Sequence, residues 1–317
     1  MKYAAQRHLP DEQKHVILSL NPKAGRGPAG KRAERLKAAL EKAGMTVELL
    51  TDLNEVAQKA NALFHEGKLR ALIGIGGDGT AAELTNRTDV GVPIALLPSG
   101  TANLLAKHLR YSFNPEKFAR MIVAGNVTSM DAATANGRLF LAMCGCGFDA
   151  EVVNQVHQQR MANPKGAHIG YHSYFKPILR AIFGYRFPRL RIEILDENGQ
   201  VSETLEKRHW SFICNIPKYG CSIPIAPGAK FDDGQLDLCA WRGGSLYSGL
   251  ILAGSAMLSL HRWWWRCTCR KGQAFRVSLP EETTQNMEVP YQLDGDPGGV
   301  LPVEIQIIPN RVTVFVR

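Results

Sequence analysis

Residues 76–80, with the sequence Gly-Gly-Asp-Gly-Thr, could bind a phosphate group. They follow the apolar run 71–75, which predicts a buried strand, and Thr80 is predicted to cap the next helix, with Glu83 completing a capping box. Amides at a helix N-terminus attract anions, and glycines let a ligand approach the backbone closely. Asp78 adds a carboxylate that could hold a phosphate-bound Mg²⁺ or a ribose hydroxyl. The pattern therefore predicts a phosphate site, and a strand-turn-helix junction without a ligand is the alternative.

Two common nucleotide-binding motifs overlap this part of the chain, and both are incomplete. The glycines within residues 74–79 have the spacing of the dinucleotide fingerprint, but residues 94–99 contain no acidic residue where that fingerprint needs one. Residues 25–31 have the spacing of a P-loop, yet Arg32 stands where a serine or threonine would bind Mg²⁺. The sequence therefore disfavours a nicotinamide dehydrogenase and a P-loop NTPase.

Predicted strands and helices alternate through the first part of the chain. This alternation predicts an α/β fold with a mostly parallel sheet and right-handed crossovers. Ligands of such sheets bind outside the carboxyl ends of the strands. The turn residues at these ends together predict one nucleotide-binding edge, to which we assign Asn21, Pro22, Gly25, Thr51, Gly76, Gly77, Asp78, Gly79, Thr80, Glu83, Gly100 and Thr101.

The second part of the chain has a different pattern. Short apolar segments bounded by Gly, Pro, Asn or Asp predict a β-rich domain of the sandwich type, with helices only near residues 149–159 and 245–260. The length also suits two domains. We therefore predict an α/β domain over residues 1–133 and a β-sandwich domain over 134–307, with the tail 308–317 returning to the first.

Composition limits the cellular compartments in which the protein is expected. The cysteine count is seven, an odd number, and no cleavable apolar leader precedes Val16, so a reducing cytoplasm is expected. The pairs Cys144/Cys146 and Cys267/Cys269 have one residue between them, whereas paired zinc ligands normally have two to four residues between them. The spacing thus disfavours a metal site. No segment reaches the roughly 18 apolar residues of a membrane span, which predicts a soluble or peripheral protein.

The net charge of +9 suits an anionic partner. We find no nucleic-acid-binding motif, so nucleic acid is not expected as that partner. Trp263, Trp264 and Trp265 lie between Arg262 and Arg266, an arrangement that suits the headgroup region of an anionic membrane. A core cluster of tryptophans joining a helix to a strand is the other interpretation, and both stay open.

Short motifs follow one another along the whole chain: Asn21-Pro22-x-x-Gly25, Gly76-Gly77-Asp78-Gly79-Thr80, Leu97-Pro98-x-Gly100-Thr101-x-Asn103, Gly147-Phe148-Asp149-Ala150, Asp232-Asp233-Gly234 and Leu293-Asp294-Gly295. In this order they resemble the diacylglycerol kinase catalytic family, which includes bacterial lipid kinases, sphingosine kinases and ceramide kinases. NAD kinases share a similar glycine-rich element. The resemblance implies an ATP-binding α/β domain, a β-sandwich domain for the acceptor lipid, and an active site in the cleft between them.

The resemblance also implies roles for single residues. ATP contacts fall on residues 21–25, Thr51, residues 76–80 and Thr101. In the bacterial branch a structural Mg²⁺ occupies the loop that matches residues 230–235. Its ligands would be, by position, the backbone carbonyls of Lys230 and Gln235 and the carboxylate of Asp233. An ordinary turn before a strand is the alternative reading of that loop.

The family's catalytic loop matches residues 293–297. Phosphoryl transfer needs a carboxylate that accepts the proton of the lipid hydroxyl, and Asp296 or Asp294 could supply it. The chain departs from the family pattern at three positions. Ala82 replaces an asparagine, Leu104 replaces an aspartate, and Asp296 is one methylene shorter than the usual glutamate. A surface turn rich in turn-forming residues is the other reading of this loop.

Taken together, the sequence predicts a kinase that uses ATP and Mg²⁺ to phosphorylate a hydroxyl of a diacylglycerol-like or sphingoid-like lipid. A non-catalytic lipid- or nucleotide-binding protein of the same fold and an NAD kinase are the alternatives. The expected location is the cytoplasm, with peripheral contact to an anionic membrane at its inner face. The sequence does not name the lipid or the oligomeric state.

Overall fold

The computed structural model of the protein describes most of the chain, namely residues 6–20, 28–162, 185–220, 222–283 and 287–317. These residues form two compact units, which we describe separately. Unit 1 contains Met1–Ala132 and Pro309–Arg317, and unit 2 contains Ala133–Ile308.

The first strands and helices are β1 (Gln6–His8), β2 (His15–Leu20), α1 (Pro28–Lys42), β3 (Thr46–Leu50), α2 (Leu53–His65), β4 (Leu69–Gly76), α3 (Asp78–Arg87), β5 (Pro93–Pro98), α4 (Leu104–His108), α5 (Pro115–Ala124) and β6 (Asn126–Ala135). The remaining ones are β7 (Arg138–Phe140), β8 (Met143–Gly147), α6 (Phe148–Ala162), β9 (Leu190–Leu195), β10 (Val201–Arg208), β11 (Trp210–Cys214), β12 (Leu236–Trp241), α7 (Leu246–Met257), β13 (Cys267–Gly272), β14 (Ala274–Ser278), β15 (Pro290–Leu293), β16 (Asp296–Val300) and β17 (Val303–Phe315). Single 3₁₀ turns lie at His261–Trp263 and Glu281–Thr283.

Unit 1 contains a parallel sheet with the strand order β3-β2-β4-β5-β17, to which β17 contributes only its C-terminal part. The strands β2, β4 and β5 are almost entirely buried, as parallel strands covered by helices on both faces must be. Helices follow the first four strands of this sheet. The predicted α/β unit with a parallel sheet is therefore confirmed.

Helix ends in unit 1 follow local rules of capping. The Asp52 carboxylate accepts the amides of Asn54 and Glu55 at 2.9 Å each and so begins α2. The Asn114 side chain accepts the Lys117 amide at 2.9 Å and begins α5. These short-range contacts explain why the order of helices in this unit is readable from the sequence.

A buried arginine joins the C-terminal segment to unit 1. Arg311 donates to the carbonyl oxygens of Thr85 at 2.7 Å and of Asp89 at 3.1 Å, at the C-terminal end of α3. A cation at this end of a helix meets carbonyls that have no partner within the helix and the negative end of its dipole. Burial lowers the pKa of Arg311. The last residues of the chain are thus part of the α/β unit.

Unit 2 consists of two antiparallel sheets. One has the order β10-β9-β14-β17 and uses the N-terminal part of β17, and the other has the order β13-β12-β11-β8-β15-β16. Phe275 and Ile305 from the first sheet belong to the same buried apolar cluster as Ile213 and Leu238 from the second. Two sheets that share one core make a sandwich, which confirms the predicted second domain type.

One of the short apolar segments, residues 138–144, contains parts of two strands. These are β7 and the start of β8. The chain breaks between them because the amides of Leu141 and Ala142 both turn to the Asp294 carboxylate, at 2.8 Å each. The pattern could not show this because the acceptor lies about 150 residues further along the chain.

Candidate functional site: a glycine-walled edge and a paired-aspartate loop

The glycine-rich segment 76–80 joins β4 to α3. The helix begins at Asp78 and its N-cap is Gly77, which has no side chain to cap the helix. The predicted capping role of Thr80 is therefore wrong, since Thr80 already lies in the first helical turn. The predicted capping box is wrong too, because the Glu83 carboxylate pairs with Arg87 at 2.6 Å, one helical turn later. The first amides of α3 are thus left without side-chain caps from these residues, as an anion site requires.

Close backbone contacts explain the glycines. The amide of Ser99 donates to the carbonyl of Gly76 at 2.9 Å, so the loops after β4 and β5 touch. A Cβ added to Gly100 would lie 2.6 Å from the Cα of Gly77, and one added to Gly76 would lie 2.0 Å from the Thr80 hydroxyl oxygen. No other residue fits at these positions without moving the backbone. The two glycine-rich loops thus form one wall at the carboxyl ends of the neighbouring strands.

Asp78 is a structural anchor of this wall. Its carboxylate accepts the amide of Leu104 at 2.9 Å and that of Leu105 at 2.8 Å, and the residue is only 8% exposed. Burial raises the pKa of Asp78, while the two amides act in the opposite direction. The observed role is therefore the attachment of α4 to the glycine-rich turn. The role of Asp78 as a nucleotide-binding residue stays a prediction.

Asn103 belongs to the same wall and was not among the predicted site residues. Its side-chain oxygen accepts the Gly100 amide at 3.0 Å, and its side-chain nitrogen donates to the Gly100 carbonyl at 2.7 Å. Asn103 is the N-cap of α4 and has a left-handed backbone with φ of 50°. Asparagine tolerates that conformation better than most residues, which is the sequence signal that could have identified it.

Of the other predicted nucleotide contacts, some are exposed, some are half-buried and some lie outside the described residues. Thr51 is exposed at the end of β3, and Gly79 and Thr101 are half-buried. Arg32, at the position where a P-loop would bind Mg²⁺, donates instead to the carbonyl of Pro98 at 2.9 Å. This contact ties α1 to the end of β5. Three predicted contacts lie outside the described residues: Asn21, Pro22 and Gly25.

The loop with the two candidate catalytic aspartates is a tight hairpin between β15 and β16. Asp294 and Gly295 are its two turn residues, both with positive φ, at 52° and 88°. Such turns favour Asp-Gly, so the turn reading of the sequence is correct for the backbone. Asp294 is nevertheless buried, and its carboxylate accepts the amides of Leu141, Ala142 and Met143 at 2.8, 2.8 and 2.9 Å. Asp294 therefore fastens the hairpin to the segment that leads from β7 into β8.

Asp296 differs from Asp294 in its surroundings. It is half-buried, opposite Leu293 in the register of the hairpin. Within the described part of the chain its carboxylate takes part in no hydrogen bond or ion pair. An accessible carboxylate without a partner can accept a proton, whereas one held by three amides is occupied. Of the two candidates, the geometry favours Asp296 as the base and Asp294 as the residue that positions it.

A buried pair supports the same loop. The Gln292 side-chain nitrogen donates to the Asp149 carboxylate at 3.0 Å, and its oxygen accepts the Gly295 amide at 2.7 Å. Asp149 lies in the first turn of α6, and burial raises its pKa to about 7, with the Gln292 hydrogen bond acting against the rise. In the sequence, Asp149 stands out only as part of the motif Gly147-Phe148-Asp149-Ala150, and Gln292 does not stand out because an isolated glutamine carries no pattern.

Asp149 should make stability depend on pH. Its folded-state pKa of about 7 lies above the unfolded value of about 3.9, so the folded protein keeps a proton that the unfolded chain loses. The free energy of unfolding should therefore fall as pH rises from about 4 to about 7. Asp149→Asn should remove roughly 2–4 kcal/mol of that fall, measured by urea unfolding at several pH values. Glu197→Gln, on the surface, is the control and should follow the wild type. Parallel pH curves for wild type and Asp149→Asn would refute the assignment.

The predicted magnesium loop contains an ion-pair network. The ammonium of Lys271 lies 2.8 Å from the Asp233 carboxylate and 3.4 Å from that of Asp237. Burial raises the pKa of Asp237, and Lys271 opposes that rise. The Asp233 carboxylate also accepts the Gln235 amide at 3.2 Å. The predicted ligands, namely this carboxylate and the carbonyls of Lys230 and Gln235, are all oxygens, the donor type that Mg²⁺ prefers. Any metal at Asp233 must share that carboxylate with Lys271, a partner that the sequence did not reveal.

The tryptophan segment is a surface feature. Trp263 and Trp265 are 82% and 73% exposed, with Arg262 and Arg266 stacked near their rings at 5.8 and 4.9 Å. The core interpretation is therefore wrong for these two rings. It holds in part for Trp264, which packs edge-on against the buried Trp241. We call the apolar side chains of residues 247–265 that are more than half exposed the tryptophan surface; it comprises Tyr247, Leu250, Met257, Leu258, Leu260, Trp263 and Trp265.

No helix within the described ranges combines the length and the apolar character that a membrane crossing needs.

Comparison with known proteins identifies both units. Residues 15–135 match the family model of the diacylglycerol kinase catalytic domain. Residues 142–316 match that of the YegS C-terminal NAD kinase beta sandwich-like domain. The two matches together span nearly the whole chain.

Several relatives bear the name "probable lipid kinase YegS-like". The one from Citrobacter koseri is 27% identical, with 77% of each chain covered. The one from Yersinia enterocolitica is 24% identical over 94% of this chain and 95% of the relative.

Two solved structures from Bacillus anthracis share the fold. One has a TM-score of 0.71 at 21% identity, and the match covers 100% of this chain and 98% of the solved chain. The other, described as a diacylglycerol kinase, has a TM-score of 0.65 at 20% identity, and the match covers 96% of this chain and 97% of the solved chain.

Proposed function

The chain belongs to the diacylglycerol kinase catalytic family with a YegS-type C-terminal domain, and from this premise we propose that it transfers the γ-phosphate of ATP to a hydroxyl of a lipid. Several of its relatives carry the name "probable lipid kinase", which supports a lipid as the acceptor class. The observation that carries the proposal is the contrast between the two loop aspartates. Asp294 is fully engaged by backbone amides, while Asp296 beside it has a carboxylate available for proton transfer.

The proposed reaction has one chemical step. The acceptor hydroxyl oxygen forms a bond to the γ-phosphorus of ATP, the bond from that phosphorus to the ADP oxygen breaks, and Asp296 takes the hydroxyl proton. The amides at the start of α3 and the glycine-rich wall bind and orient the phosphates. Asp78 and Asn103 hold that wall in place. Asp294, with Gln292, holds the hairpin that presents Asp296.

Mg²⁺ is the metal that this proposal requires. Bound with ATP, it would neutralise the phosphate oxygens of the nucleotide. A second, structural ion would be held by Asp233 and the carbonyls of Lys230 and Gln235.

The test is a phosphoryl-transfer assay with ATP labelled at the γ-phosphate and lipids in mixed micelles. The panel contains diacylglycerol, sphingosine, ceramide, NAD and a reaction without acceptor. We expect label in one or more lipids and none in NAD. Label only in NAD would identify an NAD kinase instead. Binding of ATP or lipid without any transfer, in a folded protein supplied with Mg²⁺, would identify a non-catalytic binding protein and overturn the proposal.

The structural ion can be tested through Lys271. Lys271→Met leaves Asp233 and Asp237 without their cation, so added Mg²⁺ should raise the melting temperature of this variant by roughly 2–5 °C more than that of the wild type. Lys230→Met is the control. It removes a charge from the same loop while leaving the Asp233 ion pair and the backbone carbonyls intact. Equal Mg²⁺ shifts in all three proteins would count against a metal at Asp233.

We also infer that the tryptophan surface contacts an anionic membrane. Its aromatic rings are exposed next to Arg262 and Arg266, and the net charge of +9 favours anionic lipid. Such contact would bring the enzyme to a substrate that resides in the bilayer.

Replacing Trp263 and Trp265 by serine should weaken binding to vesicles that contain phosphatidylglycerol roughly tenfold or more, measured by sedimentation. Added salt should weaken wild-type binding as well, because the arginines act through screened charge. Val90→Ser with Val201→Ser changes two exposed apolar residues elsewhere and is the control. Retained binding by the tryptophan variant would refute this surface as the contact.

A further inference from the structure

Three cysteines meet on one face of the six-stranded sheet in unit 2. Cys239 on β12 is directly opposite Cys269 on β13, and Cys267, two residues before Cys269, points to the same face. The sulfur of Cys267 lies 3.6 Å from that of Cys239 and 3.8 Å from that of Cys269. All three are free thiols.

A buried histidine completes the group. His261 comes from the 3₁₀ turn after α7 and is 0% exposed. The ligand atoms of His261, Cys239 and Cys269 all lie within 4.8 Å of one another. The Nε2 of His261 is 2.9 Å from the carbonyl of Ile225, so Nε2 carries the proton and donates it. Nδ1 is then the ring nitrogen with the free lone pair, and this buried atom has no hydrogen-bond partner within the described residues.

An unpartnered nitrogen in an apolar interior is unfavourable unless something binds it. A histidine whose other nitrogen is fixed by a backbone carbonyl is the usual arrangement of a metal ligand. Tetrahedral zinc with a Zn–S distance of about 2.3 Å separates its sulfur ligands by about 3.8 Å. The two sulfur–sulfur distances of 3.6 and 3.8 Å match that spacing. They are far longer than the S–S bond of a disulfide, about 2.05 Å.

We propose that Cys239, His261 and Cys269 bind one Zn²⁺ ion and that Cys267 is the fourth ligand. The Cys267 sulfur lies within 3.8 Å of both other sulfurs but outside the group that includes His261, so its side chain must rotate toward the ion. Three thiolates and one imidazole are a usual ligand set for structural zinc, and four protein ligands leave no open position for catalysis. Each thiol would release its proton on binding.

Surrounding charges suit such a site. Zinc with three thiolates carries one net negative charge. The buried guanidinium of Arg208 donates to the Thr268 hydroxyl at 2.9 Å, between the two cysteines of β13, and Arg262 follows the histidine directly. Cys269 is exposed, which gives a metal ion a path from solvent.

The proposed ion has a clear structural role. It would link the turn at His261 to β12 and β13. That turn leads directly into Trp263 and Trp265, the rings of the tryptophan surface. Zinc would therefore fix the base of the tryptophan surface to the sheet.

The test uses the full chain and Zn²⁺ alone. Protein purified with a weak chelator, then equilibrated with Zn²⁺ and dialysed, should retain about one zinc per chain by elemental analysis. Removal of even a residue that only orients a ligand costs zinc sites about 10–100-fold in affinity, so Cys269→Ala should lose at least about 100-fold. Cys214→Ala, which removes a buried cysteine on the neighbouring strand outside the group, should keep wild-type affinity.

Co²⁺ gives a second readout that does not depend on stability. Wild type should show the strong visible bands of tetrahedral cobalt together with a thiolate-to-cobalt charge-transfer band, and Cys269→Ala should lose part of that band. Retention of no zinc by folded wild type, equal zinc affinity in Cys269→Ala, or a cobalt spectrum without thiolate bands would each overturn the proposal. Thiol titration that finds a disulfide among the three cysteines in the freshly purified protein would overturn it as well. None of these readouts depends on kinase activity.

Discussion

Asp296→Asn is expected to lower the turnover number by about 10²–10⁴-fold, the usual effect of removing a general base. The substitution preserves size and removes only the proton-accepting capacity of the side chain. Because Asp296 has no partner among the described residues, its loss should leave the fold and the affinity for ATP unchanged. The measurements are the turnover number with a lipid acceptor, the KM for ATP and the melting temperature. Asp296→Glu, which restores the length usual in the family, should keep activity or raise it.

Asp294→Asn is the comparison that gives this test its meaning. The Asp294 carboxylate accepts three backbone amides, so an amide side chain there would face at least one of those donors with a donor of its own. We expect a lower melting temperature, with activity lost in proportion to the displacement of the hairpin. If Asp296→Asn kept full turnover while a folded Asp294→Asn had none, Asp294 would be the base and our assignment would be wrong.

Asp78→Ala is expected to reduce stability and activity together. It leaves the amides of Leu104 and Leu105 without their acceptor in a buried place, which should cost roughly 2–4 kcal/mol of unfolding free energy. The loop with Gly100 and Thr101 would then be free to shift relative to the glycine-rich turn. Displacement of about 1 Å at a reacting centre can cost about 10²-fold in rate, and we expect a loss of at least that size.

Asn114→Ala is the matched control for Asp78→Ala. It removes a helix-capping side chain from α5 and should cost about 1 kcal/mol without changing the kinetics for ATP. The decisive measurements are urea unfolding and the KM and turnover with ATP at a temperature where every variant is folded. Near-normal kinetics in a folded Asp78→Ala variant would show that the Asp78 anchor is not needed for the nucleotide site.

Local patterns in the sequence were enough for the general architecture. Buried parallel strands such as β4 are continuous apolar runs because both of their faces are covered, and the glycines and caps around them mark where the elements end. The turn chemistry of Asp294 and Gly295 is local in the same way. Such signals act over a few residues, so they survive in a single sequence. The boundaries of α3 were less readable, because Gly77 caps the helix without any side-chain signal.

The partners of the polar groups were decided only by the tertiary structure. Asp78 finds its two amides 26 and 27 residues away, and Asp294 finds its three amides more than 150 residues away. Periodicity shows which side chains are buried, but a buried carboxylate or imidazole must also find a partner, and chain topology selects that partner. The cysteine pair on β13 illustrates this difference. Its spacing in the sequence argued against a metal, whereas antiparallel pairing with β12 and the turn after α7 bring Cys239 and His261 to the same point.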